Sequence, residues 1–123
     1  MKSWDEIDFT KVKNKAEGLV GELSATDFLR SKGYKIVQTN FKTKFGEIDI
    51  IALYKGVIVF VEVKNRSTLA YGRPIEAVDW RKQQKIRCVA EFYLMNKKKS
   101  EADVRFDIIE IVGDSINHVE NAF

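Results

Sequence analysis

The chain is poor in the residues that staple small proteins together or announce a catalytic centre. Cys88 is its only cysteine, so a disulfide framework and a cysteine-rich zinc site are both excluded. His118 is its only histidine, which excludes a histidine-pair metal site. No apolar run approaches the length of a membrane span. The opening MKSWDEIDFT is acidic and too poor in apolar residues for a signal peptide, so the cytoplasm is the expected compartment and a membrane is not an expected partner. No internal repeat, low-complexity segment or domain linker interrupts the 123 residues.

What remains suits a small globular domain. Hydrophobic residues make up 45% of the chain, enough for one core, and charged residues make up 32%. A net charge of +3 and a pI near 8.9 permit nucleic-acid binding without demanding it. The basic residues gather locally: Lys11, Lys13 and Lys15; Lys42 and Lys44; Arg81, Lys82, Lys85 and Arg87; Lys97 to Lys99. Each cluster taken alone reads equally as a solvated face.

Periodicity predicts the order αβββαββ. Residues 1–10 form an arm ahead of a single domain over 11–123. A helix runs from about Lys11 to Ser31, with Ala16, Leu19, Val20, Leu23 and Leu29 on one side. Gly33 ends it. Strands follow over about 34–40, 45–53 and 57–63, the last two joined by a hairpin at Tyr54, Lys55 and Gly56. A loop leads to Pro74, which opens a second helix running to about Asn96. Strands over 104–112 and 116–119 complete an α/β domain, a mixed sheet with helices packed on it.

The stretch GEIDIIALYKGVIVFVEVKNR, from Gly46 to Arg66, carries the chemistry. Asp49 interrupts one β-branched run, and Glu62 and Lys64 interrupt the next. A charge inside a strand that wants burial is costly unless paired or bound to a metal. Alternation puts Glu62 and Lys64 on one face, with Val61 and Val63 on the other. Two carboxylates and a lysine on neighbouring strands supply a hard-cation site with an amine beside it, suited to Mg²⁺ or Mn²⁺ and to phosphodiester hydrolysis. Exposed ion pairs on one sheet face are the competing reading. Glu47 shares the parity of Asp49 and is its rival. Glu22 falls at the edge of the first helix's stripe beside Gly18, Gly21 and Ala25. It either reaches the site or snorkels outward. Lys82 interrupts the apolar face of the second helix and needs a carboxylate, a phosphate or an escape route. Cys88 reads as a packed thiol, His118 as structural, Phe106 and Tyr93 as core. Trp80 reads as either packed or exposed.

The segments GLVGELSATDFLRSKGYKI, GEIDIIA, FVEVKNR, RFDII and the terminal NAF together resemble the YraN-type bacterial family. That family is similar to archaeal Holliday junction resolvases, within the PD-(D/E)xK nuclease superfamily. The resemblance spans nearly all of Lys15 to Phe123. It implies a restriction-endonuclease-like fold and a metal-dependent endonuclease acting on structured or branched DNA. It places Asp49, Glu62 and Lys64 as the motif residues and Glu22 as the helix glutamate. Asp49, Glu62 and Glu22 are then the expected ligands of Mg²⁺ or Mn²⁺. Lys82, Arg66 and Lys44 are the expected nucleic-acid contacts, and a homodimer is implied. Ile48 stands where the superfamily name has proline. The alternative function is an inert nucleic-acid-binding module that keeps the fold. A third is a structural partner docking through Trp4, Phe9 or Phe123.

Overall fold

A computed structural model of the chain describes residues 9–66 and 78–123. The readings of Trp4 and Pro74, and of the side chains of Phe9, Ala16 and Leu19, lie outside what is described. The elements are α1 (Phe9–Ser31), β1 (Lys35–Thr43), β2 (Gly46–Tyr54), β3 (Val57–Arg66), α2 (Trp80–Asn96), β4 (Val104–Val112) and β5 (Ser115–Val119). This is the predicted order, αβββαββ, in an α/β, restriction-endonuclease-like arrangement. The five strands form one sheet in sequence order. The β3–β4 pair is parallel and the other three pairs are antiparallel. Among the described residues, no helix is long and apolar enough to cross a membrane.

Turn chemistry sets the register. Lys55 and Gly56 both have positive φ, 49° and 80°, the combination of a two-residue turn whose twist matches its strands. Tyr54 and Val57 therefore pair directly. At the end of α1, the Gly33 and Tyr34 N–H groups donate to the Arg30 and Leu29 carbonyls, closing the helix where the glycine predicts. Asp79, with extended φ and ψ, caps α2 by accepting the Lys82 N–H at 2.9 Å. The described helix thus starts at Trp80, because an extended Asp79 cannot lie within it.

The sheet is covered on both faces. Ile58, Phe60, Phe106 and Ile108 pack with Ile86, Val89, Ala90 and Tyr93 of α2. Val59, Val61, Ile109 and Ile111 pack with Ala25 and Leu29 of α1. Phe123 belongs to the α2-side core, stacked on Phe106 at 5.3 Å, so it is packed within this chain.

The buried face of α1 corrects the sequence expectation. Val20 and Leu23 are 60% and 57% exposed, whereas Gly21, Ala25, Thr26 and Leu29 face the sheet. The helix buries its small residues because they permit close approach. A Cβ at Gly21 would stand 3.1 Å from Asn65 Nδ2.

Candidate active site

The site arises where the sheet forks. β2 pairs with β3 from Tyr54↔Val57 up to Ile50↔Val61. Beyond that point β2 stays with β1 as far as Gly46, while β3 runs on beside β4 to Arg66. Ile48 packs on the α2 side and Ile50 on the α1 side, although they are two apart, so strict alternation breaks across Asp49. Asp49 bridges the fork itself: its Oδ2 accepts the Val63 N–H at 2.8 Å, standing in for the missing ladder partner.

The first turn of α2 lies over this fork and leaves a cleft of about 370 Å³. Asp49, Glu62 and Glu47 line it from the sheet, and Arg81, Lys82 and Lys85 from the helix. Glu62 is buried, and two ammonium groups bracket it. Lys82 Nζ lies 2.6 Å from its Oε1, and Lys64 Nζ lies 3.5 Å from the same oxygen. The interruption of the α2 apolar face by Lys82 is thereby accounted for, since its partner is the strand carboxylate.

The titrating groups are pushed apart. Burial raises the Asp49 carboxyl from its ordinary value to about 7, with the Glu62 charge adding to it; the Val63 N–H and Lys82 oppose. Lys64 is lowered, chiefly by burial and then by the neighbouring Lys82, against the pull of Glu62. Burial also works against the Lys82 ammonium, but its bonds to Glu62 and Lys64 and the charges of Glu62 and Asp49 raise it. Lys82 is therefore the resident counter-ion, and Lys64 is the amine more ready to give up a proton.

The other expected residues stand at varied distances from this centre. Glu47 is a rim group, half-exposed and 3.8 Å from Lys42 Nζ, so Asp49 is the inner carboxylate of the two. Glu22 accepts a 2.6 Å bond from Asn40 Nδ2, and the charges acting on it are Glu47 and Lys42. Of these two charges, Glu47 belongs to the cleft rim. Among the described residues, no three His, Cys, Asp or Glu side chains are arranged to share a metal. Arg66 turns inward, its Nε 3.1 Å from Glu110 Oε2, so its charge is neutralised within the sheet. Lys44 is exposed, with its ammonium 5.1 Å from the Phe45 ring.

Glu110 was not singled out by the motif reading. It is buried, pairs in register with Lys64, and shares the α2 face with Phe106 and Ile108. A charge inside the apolar run VRFDIIEIV was the available signal. Cys88, expected to be packed, is exposed.

A second polar network occupies the α1 face. Asp107, fully buried, accepts from Arg105 Nε and Nη2 at 2.9 Å each, and from the Asn121 N–H at 3.0 Å. It also accepts from His118 Nε2 at 2.7 Å. Lys32 Nζ lies 2.8 Å from His118 Nδ1. An ammonium only donates, so Nδ1 accepts and Nε2–H faces Asp107. His118 is thus a buried connector in this network.

Comparison with known proteins agrees along most of the chain. Residues 21–111 match the uncharacterised protein family UPF0102. A UPF0102 protein of Caldanaerobacter subterraneus subsp. tengcongensis is 49% identical over 120 residues, covering 92% of this chain and 98% of the relative. Another from Persephonella marina is 47% identical, covering 87% of this chain and 92% of the relative. One from Clostridioides difficile is 44% identical, covering 91% of this chain and all of the relative. The motifs around Asp49, Glu62 and Lys64 fall inside the matched span, and the chain belongs to the UPF0102, or YraN-type, family.

Proposed function

We propose that the forked-sheet cleft is the active centre of a metal-dependent endonuclease acting in the cytoplasm on structured or branched DNA. One observation carries this reading: Asp49 and Glu62 face one cleft from two strands, with Lys64 against Glu62 and a basic helix turn across the mouth. Two carboxylates suit Mg²⁺ or Mn²⁺, which needs one or two such groups and completes its shell with waters and phosphate oxygens. A divalent ion also fits the pressure that burial and Glu62 place on Asp49. Asp49 and Glu62 would hold it.

Such an ion polarises a phosphoryl oxygen and lowers the pKa of water. The protein's own groups supply the remainder. Lys64 Nζ, held 3.5 Å from Glu62 Oε1, is placed to orient the attacking water or to take its proton. Lys82 keeps its proton and offers its charge to a phosphate from the first turn of α2. Arg81 and Lys85 line the mouth, where they neutralise the flanking phosphates. A homodimer would present two such clefts to a two-stranded substrate.

A binding module without catalysis is the second reading. The Lys82 ammonium already occupies Glu62, and the described residues offer no three-ligand metal group. A cleavage screen with Mg²⁺ and Mn²⁺ over single-stranded, duplex, flap and four-way DNA separates the two. The nuclease reading expects metal-dependent cleavage that Asp49→Asn and Glu62→Gln abolish. Salt-sensitive binding of every substrate with cleavage of none selects the binding module.

A further inference from the structure

Two large aromatic side chains, each next in sequence to a cleft-lining residue, stand exposed, and no step of the chemistry above uses them. Trp80 is 70% exposed. It is the first residue of α2, between Asp79 and Arg81, both of which line the cleft. Phe45 is 46% exposed and immediately precedes Gly46, another lining residue. The Lys44 ammonium, 5.1 Å from the Phe45 ring, puts a cation on the same edge.

A tryptophan left in water is not there for packing. The core on this side of the sheet is closed by Ile86, Val89 and Tyr93 without it. Its surroundings do carry information. Arg81, Lys82 and Lys85 follow it within the next turn and a half, and Lys44 flanks Phe45. Exposed aromatic faces interleaved with cations form a surface that tracks a phosphate backbone and stacks its bases. Bases within a duplex are already stacked and turn only their edges outward. Bases of an unpaired strand have free faces.

We infer that Trp80 and Phe45 are base-stacking residues that select an unpaired segment of nucleic acid, so that a single-stranded stretch or strand end enters the cleft. The inference rests on the nuclease reading of the same cleft and deepens it: the substrate is recognised by its unstacked bases. The cations supply affinity without regard to sequence, and the two rings supply the preference for unpaired over paired nucleotides. Trp80, nearer the larger number of cations, is the stronger platform, and Phe45 adds a second.

The two roles separate when binding is read without chemistry. The chain has two tryptophans, Trp4 and Trp80, so a Trp4→Phe background leaves Trp80 as the sole indole. In EDTA, this protein is titrated with an oligothymidine and with a blunt duplex of equal length over a series of salt concentrations. The expected result is quenching of Trp80 by the single strand and little by the duplex. Trp80→Ala should then weaken single-strand affinity by about five- to hundredfold, the range for loss of one base stack. Duplex affinity and the salt dependence of both should stay unchanged, because no phosphate contact is lost. Trp80→Phe should restore most of the affinity, and Phe45→Ala should lower it by a smaller factor. Equal weakening towards both DNAs, absent quenching, or wild-type affinity in Trp80→Ala would overturn the assignment and leave Trp80 as a protein-docking residue. Metal-dependent cleavage with no Trp80 effect would leave the nuclease reading standing and the stacking role refuted. Quenching without cleavage would do the reverse.

Discussion

Asp107 and Asp49 are both carboxylates set into the sheet, and the fold treats them in opposite ways. Asp107 is saturated by two N–H groups of Arg105, one of His118 and one from the Asn121 backbone. Burial works against its charge, yet these donors hold its carboxyl below the ordinary range. Asp49 has the Val63 N–H and faces Glu62, and burial together with that like charge raises it to about 7. Donor supply, more than depth, decides which way a buried carboxylate shifts. A network that satisfies every acceptor is a strut. Asp49, short of donors and facing a like charge, gains from taking up a proton or a cation instead.

The sharpest way to test this contrast is to remove one charge from each region. Asp107→Asn should cost about 3–5 kcal/mol, because it strands Arg105 beside a group that no longer balances it. Asp49→Asn should leave stability at neutral pH unchanged or raise it, since it deletes the repulsion from Glu62. Urea unfolding of both variants measures the difference. Equal losses would show that the two regions are alike.

Cleavage gives the next largest effect. Lys64→Ala should reduce the rate by about 10²–10⁴-fold, the usual contribution of a positioned acid–base group, with DNA affinity little changed. Lys82→Ala should weaken binding instead and flatten its salt dependence by about one unit. Parallel binding and cleavage titrations distinguish the lysines, and a wild-type rate in Lys64→Ala would remove it from the chemistry.

The pH dependence of stability is the smallest effect and the most specific. Asp49 has a raised carboxyl, so between about pH 4 and 7 the native state binds more protons at this position than the unfolded chain. Its contribution is complete below the unfolded value and is lost as pH rises to about 7. Asp107, with a lowered carboxyl, contributes above its unfolded value and loses that contribution as pH falls through its folded one. Thermal melts across pH 4–8 should therefore show a downward slope with rising pH that Asp49→Asn flattens. A slope unchanged in that variant would place the titrating group elsewhere.

Much of the architecture was legible because strand and helix periods are local. The apolar, β-branched run VRFDIIEIV marked β4 from Val104 to Val112, and Tyr54, Lys55 and Gly56 marked the hairpin between β2 and β3. The parity of Glu62 and Lys64 placed them on one face, and their 3.5 Å approach follows from it. Less legible was the inner end of β2. Parity alone puts Ile48 and Ile50 on one side, whereas the fork at Asp49 sends them to opposite cores. The role of Arg66 was hidden for a related reason, since its partner Glu110 lies on a strand far along the chain.

By itself, the sequence determined the order of elements, the face shared by Glu62 and Lys64, and the family, because these depend on neighbours within a few residues or on whole motifs. Only the tertiary structure decided which side of α1 is buried. The helix has apolar residues on one side and small ones on another, and a period cannot say which packs. Close approach at Gly21 settled it for the small side, leaving Val20 and Leu23 in water. The same packing set Lys82 on Glu62, kept Glu22 with Asn40, and left Trp80, between the cleft-lining Asp79 and Arg81, exposed. Each is a relation between residues distant in sequence, and close packing in three dimensions fixes such relations where local periodicity cannot.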